Sequence, residues 1–71
     1  MNAVIDSKDQ NRIHIFMVNV ADANECERGS SEYTRHIQTA RLAMYNMSVE
    51  ANREARSQFV AQFGKEWDGS I

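Results

Sequence analysis

No proline interrupts this chain, glycine occurs three times in 71 residues, and cysteine and tryptophan occur once each. Without proline, nothing in the backbone stops a helix at an interior position. So little glycine beside 42% hydrophobic residues is the composition of a folded, helix-rich chain and not of a disordered tract. A single cysteine makes no internal disulfide, and no basic, long apolar stretch resembling a secretion signal opens the sequence. The expected setting is a reducing cytoplasm, and the expected organisation is one small domain, 1–71, of modest stability. The longest apolar run, residues 13–20, is broken by His14 and Asn19 and falls short of the roughly 20 residues of a membrane span. Formal charge is −2, and it is uneven. Asp22, Glu25, Glu27 and Glu32 face only Arg28 over residues 21–32, whereas Arg35, Arg41, Arg53 and Arg56 outnumber Glu50 and Glu54 over 33–63.

What is present is helical periodicity. Tyr33, Ile37, Ala40, Met44 and Met47 recur at steps of three and four, the spacing of one helix face. Ala51, Ala55, Phe59 and Phe63 continue at steps of four, with Val60 widening the stripe. The pattern predicts a mostly α fold built on a helical hairpin, about 31–47 and 49–63, with a tight join. Ser30 or Ser31 supplies an N-cap for the first helix and Ser48 for the second, Glu32 and Glu50 favour the first turns, and Gly64 is the expected stop.

Residues 12–20 fit two templates. Ile13, Ile15 and Met17 alternate as in a strand rich in β-branched and aromatic residues, and a strand is the preferred reading. Ile13, Phe16, Met17 and Val20 also sit at helical spacing, with Ser7 and Gln10 as a capping box, and the helix stays open. A lone strand leaves unpaired edges and would need Val4 and Ile5, or another chain, as partner. Either way the segment is expected to pack on the hairpin. Residues 21–28 are compatible with helix, with Gly29 placed to end it. Residues 1–11 and 65–71 read as mobile ends, the second anchored only by Trp67.

Candidate chemistry is sparse. His14, His36 and Cys26 lie on three different elements at spacings that match no zinc pattern, so no metal site or cofactor is expected. Glu25 and Glu27 flank Cys26 and oppose a thiolate, paired carboxylates lack a cleft in so small a domain, and no glycine-rich phosphate loop exists. The chain reads as a non-enzyme without catalytic residues. Its apolar stripes read as core. Leu42, Tyr45 and Val49 lie off them, so either the N-terminal segment covers them or they form a patch for a partner. The arginines read as a solvated face, with Glu32–Arg35 and Glu50–Arg53 spaced for pairs worth about 0.2–0.5 kcal/mol each. The candidate partner-binding residues are Asp22, Glu25, Glu27, Tyr33, Leu42 and Tyr45, the carboxylates meeting a basic surface and the apolar side chains supplying a desolvated centre.

Two resemblances add to this. Gly29-Ser30-Ser31-Glu32-Tyr33-Thr34-Arg35-His36-Ile37 resembles the start of the second helix in ribbon-helix-helix antitoxins and repressors. That resemblance implies a dimer whose paired strands enter the major groove, with Arg12 and His14 reading bases. The whole chain, by its length, its opening Asn2-Ala3-Val4-Ile5-Asp6-Ser7-Lys8-Asp9-Gln10 and its single domain, is similar to small phage-encoded regulators that bind host RNA polymerase. This likeness implies a non-enzymatic protein in the host cytoplasm that docks on a large polymerase subunit near the RNA exit channel, blocks initiation or promotes read-through of terminators, and needs no cofactor. A monomer is expected, and the net charge of −2 with its acidic block predicts no binding to nucleic acid by the chain alone. An inhibitor of another host protein, or a structural subunit, is the remaining alternative.

Overall fold

Asp6 decides the first element. Its extended backbone and carboxylate, which accepts the Asp9 N–H at 2.8 Å, make it an N-cap. The helix it starts, α1, spans Ser7–Glu25. The computed structural model describes residues 5–71. Residues 1–4, and with them part of the mobile-end reading and the pairing role given to Val4, lie outside the described residues.

The strand preferred for 12–20 is therefore corrected to helix. Ile13, Phe16, Val20 and Ala23 are buried along one face, and Ala23 continues the helical period past the point where the alternation Ile13, Ile15, Met17 stops. A helix satisfies its own backbone groups, whereas a single strand would have left them open. No strand occurs among the described residues. Nothing in 6–25 breaks the helix, so the separate run expected from Ala21 is its last turn. The stop comes at Cys26, whose N–H reaches the Ala23 carbonyl; Gly29, at φ 87°, instead supplies the left-handed third residue of the turn in which the Ser30 N–H meets the Glu27 carbonyl.

The other two helices form where their caps predict. α2 spans Ser31–Tyr45 behind Ser30, whose hydroxyl accepts the Tyr33 N–H at 3.1 Å. α3 spans Val49–Phe63 behind Ser48, whose hydroxyl accepts the Ala51 N–H at 3.2 Å, and ends at Gly64 in the left-handed region, φ 75°. Three residues, 46–48, join α2 to α3. These two helices barely touch; each lies against α1, which serves as the spine.

The space left between them is taken by residues 65–71, read from the sequence as a mobile end. Trp67 and Ile71 are buried. Trp67 meets Phe16 of α1 edge-on at 5.0 Å and Phe59 of α3 at 5.3 Å, and Phe59 also stacks at 4.7 Å on Phe63. Such aromatic pairs add about 0.5–1.5 kcal/mol each beyond burial. The tail is also tied to both flanking helices. Arg56 donates to the Trp67 carbonyl, Arg41 to that of Gly69, and the Tyr33 hydroxyl to that of Ile71 at 2.8 Å. The core thus joins Ile13, Phe16 and Val20 with Ile37, Ala40 and Met44, with Ala51, Ala55 and Phe59, and with the two tail residues. Val60, expected to widen the α3 stripe, faces solvent instead.

Candidate functional site

Five of the six sequence-selected residues are exposed, and they fall in two places. Asp22, Glu25 and Glu27 stand at the end of α1 and in the following turn, forming with Glu32 an acidic tip. Leu42 and Tyr45 stand near the far end of α2, whose 15 residues span about 22 Å. The sixth, Tyr33, is half-buried and its hydroxyl is committed to the Ile71 carbonyl, so it holds the tail in place. Tyr33 is thus no desolvated centre for the acidic block, beside which Val18 is 42% exposed; the most exposed apolar side chains, Leu42, Tyr45 and Val49, lie at the opposite end.

That end is the elbow between α2 and α3. Leu42, Tyr45 and Val49 are 60%, 88% and 70% exposed. Since α1 covers the opposite face, the sequence alternative of a covered Leu42, Tyr45 and Val49 is not the one adopted. Beside them the two helices diverge from their short join and leave a cleft of about 490 Å³, open to solvent. Met44 and Met47 border it, with Tyr45 on the α2 side and Val49, Asn52, Arg53 and Arg56 on the α3 side. A cleft of this size was not expected in so small a domain. Its wall carries no carboxylate, imidazole or thiol. Tyr45 also borders a second, shallower concavity with Gln38, Arg41 and Leu42, so the surface runs on from one to the other.

Sequence reasoning missed Met44, Met47 and Asn52 as parts of a surface because they lie on or beside the apolar stripe. Their spacing gave no signal of this, since a stripe crossing from one helix to the next opens only where the helices part. Asn52 braces the cleft, donating to the Met44 carbonyl at 3.3 Å and accepting from Arg56 Nε at 2.8 Å. The pairs expected between Glu32 and Arg35 and between Glu50 and Arg53 do not form; the ion pair among the described residues joins Asp9 and Arg12 at 3.1 Å. Arg53 thus has no ion pair among the described residues and stands at the cleft mouth.

The remaining polar groups serve the fold. His36 Nδ1 lies 2.8 Å from Asn19 Oδ1, linking α2 to α1, while His14 is exposed and Cys26 caps α1. These three do not converge, and among the described residues no group of three or more histidine, cysteine, aspartate or glutamate side chains could hold a metal ion. Arg12 and His14, assigned to base reading by the ribbon-helix-helix resemblance, lie on α1, so that ribbon has no counterpart among the described residues. Among them, no helix is long and apolar enough to cross a membrane. No family model, curated protein or solved structure matches the chain.

Proposed function

We propose that this chain is a small non-enzymatic regulator that acts by docking on a large subunit of host RNA polymerase, and that the elbow is the docking surface. The observation that carries the docking is the exposure of Leu42, Tyr45 and Val49 together beside a methionine-bordered cleft. A domain of this size gains little from leaving three large apolar side chains in water, and clustered exposure of this kind marks contact sites. Tyrosine and arginine, both present here, are the residue types on which interface energy concentrates. The choice of polymerase as partner rests on the likeness in length and opening sequence to phage-encoded regulators of that enzyme. On this reading the protein works in the host cytoplasm as a monomer, without cofactor and without binding nucleic acid by itself.

The test is size-exclusion chromatography of the purified chain with purified bacterial RNA polymerase, followed by transcription from a template carrying a promoter and a terminator. Co-elution, with a change in initiation or read-through that Tyr45→Ala removes, is the expected result. Separate elution at micromolar concentrations of both would refute the polymerase assignment.

A further inference from the structure

The elbow is not neutral. Arg41, Arg53 and Arg56 border its apolar centre, and no carboxylate lines its two concavities; Glu50 and Glu54 flank Arg53, and Glu66 lies beside Arg53 and Arg56, in neighbouring hollows. Two of the three are already oriented by the fold: Arg56 by Asn52 and the Trp67 carbonyl, Arg41 by the Gly69 carbonyl. Arg53 has no ion pair among the described residues. In a chain of net charge −2, the walls beside the most exposed apolar side chains thus carry cations and no carboxylate.

We propose that the elbow docks an acidic amphipathic segment of the partner protein, which sets an apolar side chain between Tyr45 and Val49, against Met44 and Met47, and places carboxylates on Arg53 and the two oriented arginines. This rests on the docking reading above and adds the chemistry of what docks. The guanidinium fork matches a carboxylate in two-point geometry. Methionine adapts its shape to the inserted side chain. A helix with apolar side chains three and four apart and acidic ones between them fits such a groove.

Charge and shape distinguish this occupant from others. A second copy meeting the elbow across a two-fold axis brings arginine onto arginine. A second copy offering its acidic tip brings Asp22, Glu25 and Glu27 with Val18, 42% exposed, as the large apolar side chain beside them, and sets no exposed leucine or aromatic ring between Tyr45 and Val49. Single-stranded nucleic acid requires stacking platforms, and the cleft is bordered by thioethers and one aromatic ring.

The experiment uses the full chain and a labelled synthetic helix-forming peptide with leucine and phenylalanine at helical spacing and glutamate between them. Fluorescence anisotropy is compared with that of the same peptide carrying lysine for glutamate, and of a labelled oligothymidylate. The acidic peptide should bind, with affinity falling as salt rises, and the basic peptide should not. Tyr45→Ala should weaken binding about tenfold or more and Arg53→Glu about five- to tenfold. Both side chains are exposed, so the variants should keep the parent circular dichroism and melting temperature. Equal binding of both peptides, no binding of the acidic one, preferential binding of the oligothymidylate, or self-association in sedimentation that Tyr45→Ala abolishes would each overturn the proposal. Polymerase capture that depends on Tyr45 but not on Arg53 would sink the acidic segment and leave the docking reading intact. Acidic-peptide binding without polymerase capture would do the reverse for the polymerase assignment.

Discussion

Asp9, early in α1, is held by Ser48, the N-cap of α3: its Oδ1 lies 3.4 Å from the Ser48 backbone nitrogen, which donates to it. Residues 39 positions apart thereby fix where α3 begins relative to the spine. The Ser48 hydroxyl is the main cause holding the Asp9 carboxyl below its ordinary value of 3.8; Arg12 adds to it, and desolvation opposes without prevailing. A carboxyl with a depressed folded value binds its proton more weakly when folded than when unfolded. Its stabilising contribution is therefore complete above the unfolded value and is lost as pH falls through the folded one. The melting temperature of Asp9→Asn should lie below that of the parent at about pH 6, and the gap should close toward about pH 2. A gap that is constant across this range would contradict the clasp.

Phe59 is fully buried and touches Phe16, Phe63 and Trp67. Truncation to Ala removes contacts with α1 and the tail at once and should cost about 3–5 kcal/mol, enough to unfold a domain with so little reserve. Thermal melts followed by circular dichroism check this; an unchanged midpoint would contradict the arrangement of the core.

The tail carries the single tryptophan, so its docking has its own signal. Buried Trp67 should emit at shorter wavelength than free indole and shift red on denaturation. Tyr33→Phe removes the hydroxyl from the Ile71 carbonyl and should weaken tail docking by about 1 kcal/mol, seen as faster amide exchange in 69–71 with little change in α1. Exchange there as fast as in an unstructured peptide would restore the mobile-end reading.

Much of this fold was legible because its signals are local. Ser30, Ser48 and Gly64 mark helix ends through their own chemistry, and the stripe from Tyr33 to Phe63 names the buried faces of α2 and α3 apart from Val60. α1 was misread because its first apolar residues fit both periods; Ala23, outside the window that suggested a strand, is the residue that decides. The tail was not legible for a different reason. Trp67 packs on Phe16 as well as Phe59, and Tyr33 holds Ile71; Phe16 and Tyr33 are distant in sequence, and nothing in Asp68, Gly69 or Ser70 announces them. At the candidate site, the divergence of Leu42, Tyr45 and Val49 from the stripe was visible, but whether α1 would cover them depended on which face of the hairpin it chose. The cleft behind them exists because α2 and α3 part, which no residue spacing encodes.

The acidic tip and the elbow stand at opposite ends of α2, well beyond the screening length of about 8 Å at physiological salt, so their contributions should separate. Reversing Glu25 and Glu27 to Lys should slow association with RNA polymerase at low salt, reduce its salt sensitivity and leave dissociation nearly unchanged. Tyr45→Ala should instead speed dissociation. Surface plasmon resonance at two salt concentrations resolves the two, and a tip reversal that accelerates dissociation as much as Tyr45→Ala would place the tip inside the interface.

If the elbow is the surface covered in the complex with RNA polymerase, hydroxyl-radical footprinting will show it. Tyr45 and Met47 should be oxidised more slowly when RNA polymerase is present, while Met17 reacts at the same rate with and without it. Unchanged oxidation of Tyr45 and Met47 in a demonstrated complex, with protection falling instead on residues 22–32, would contradict the elbow as the docking surface.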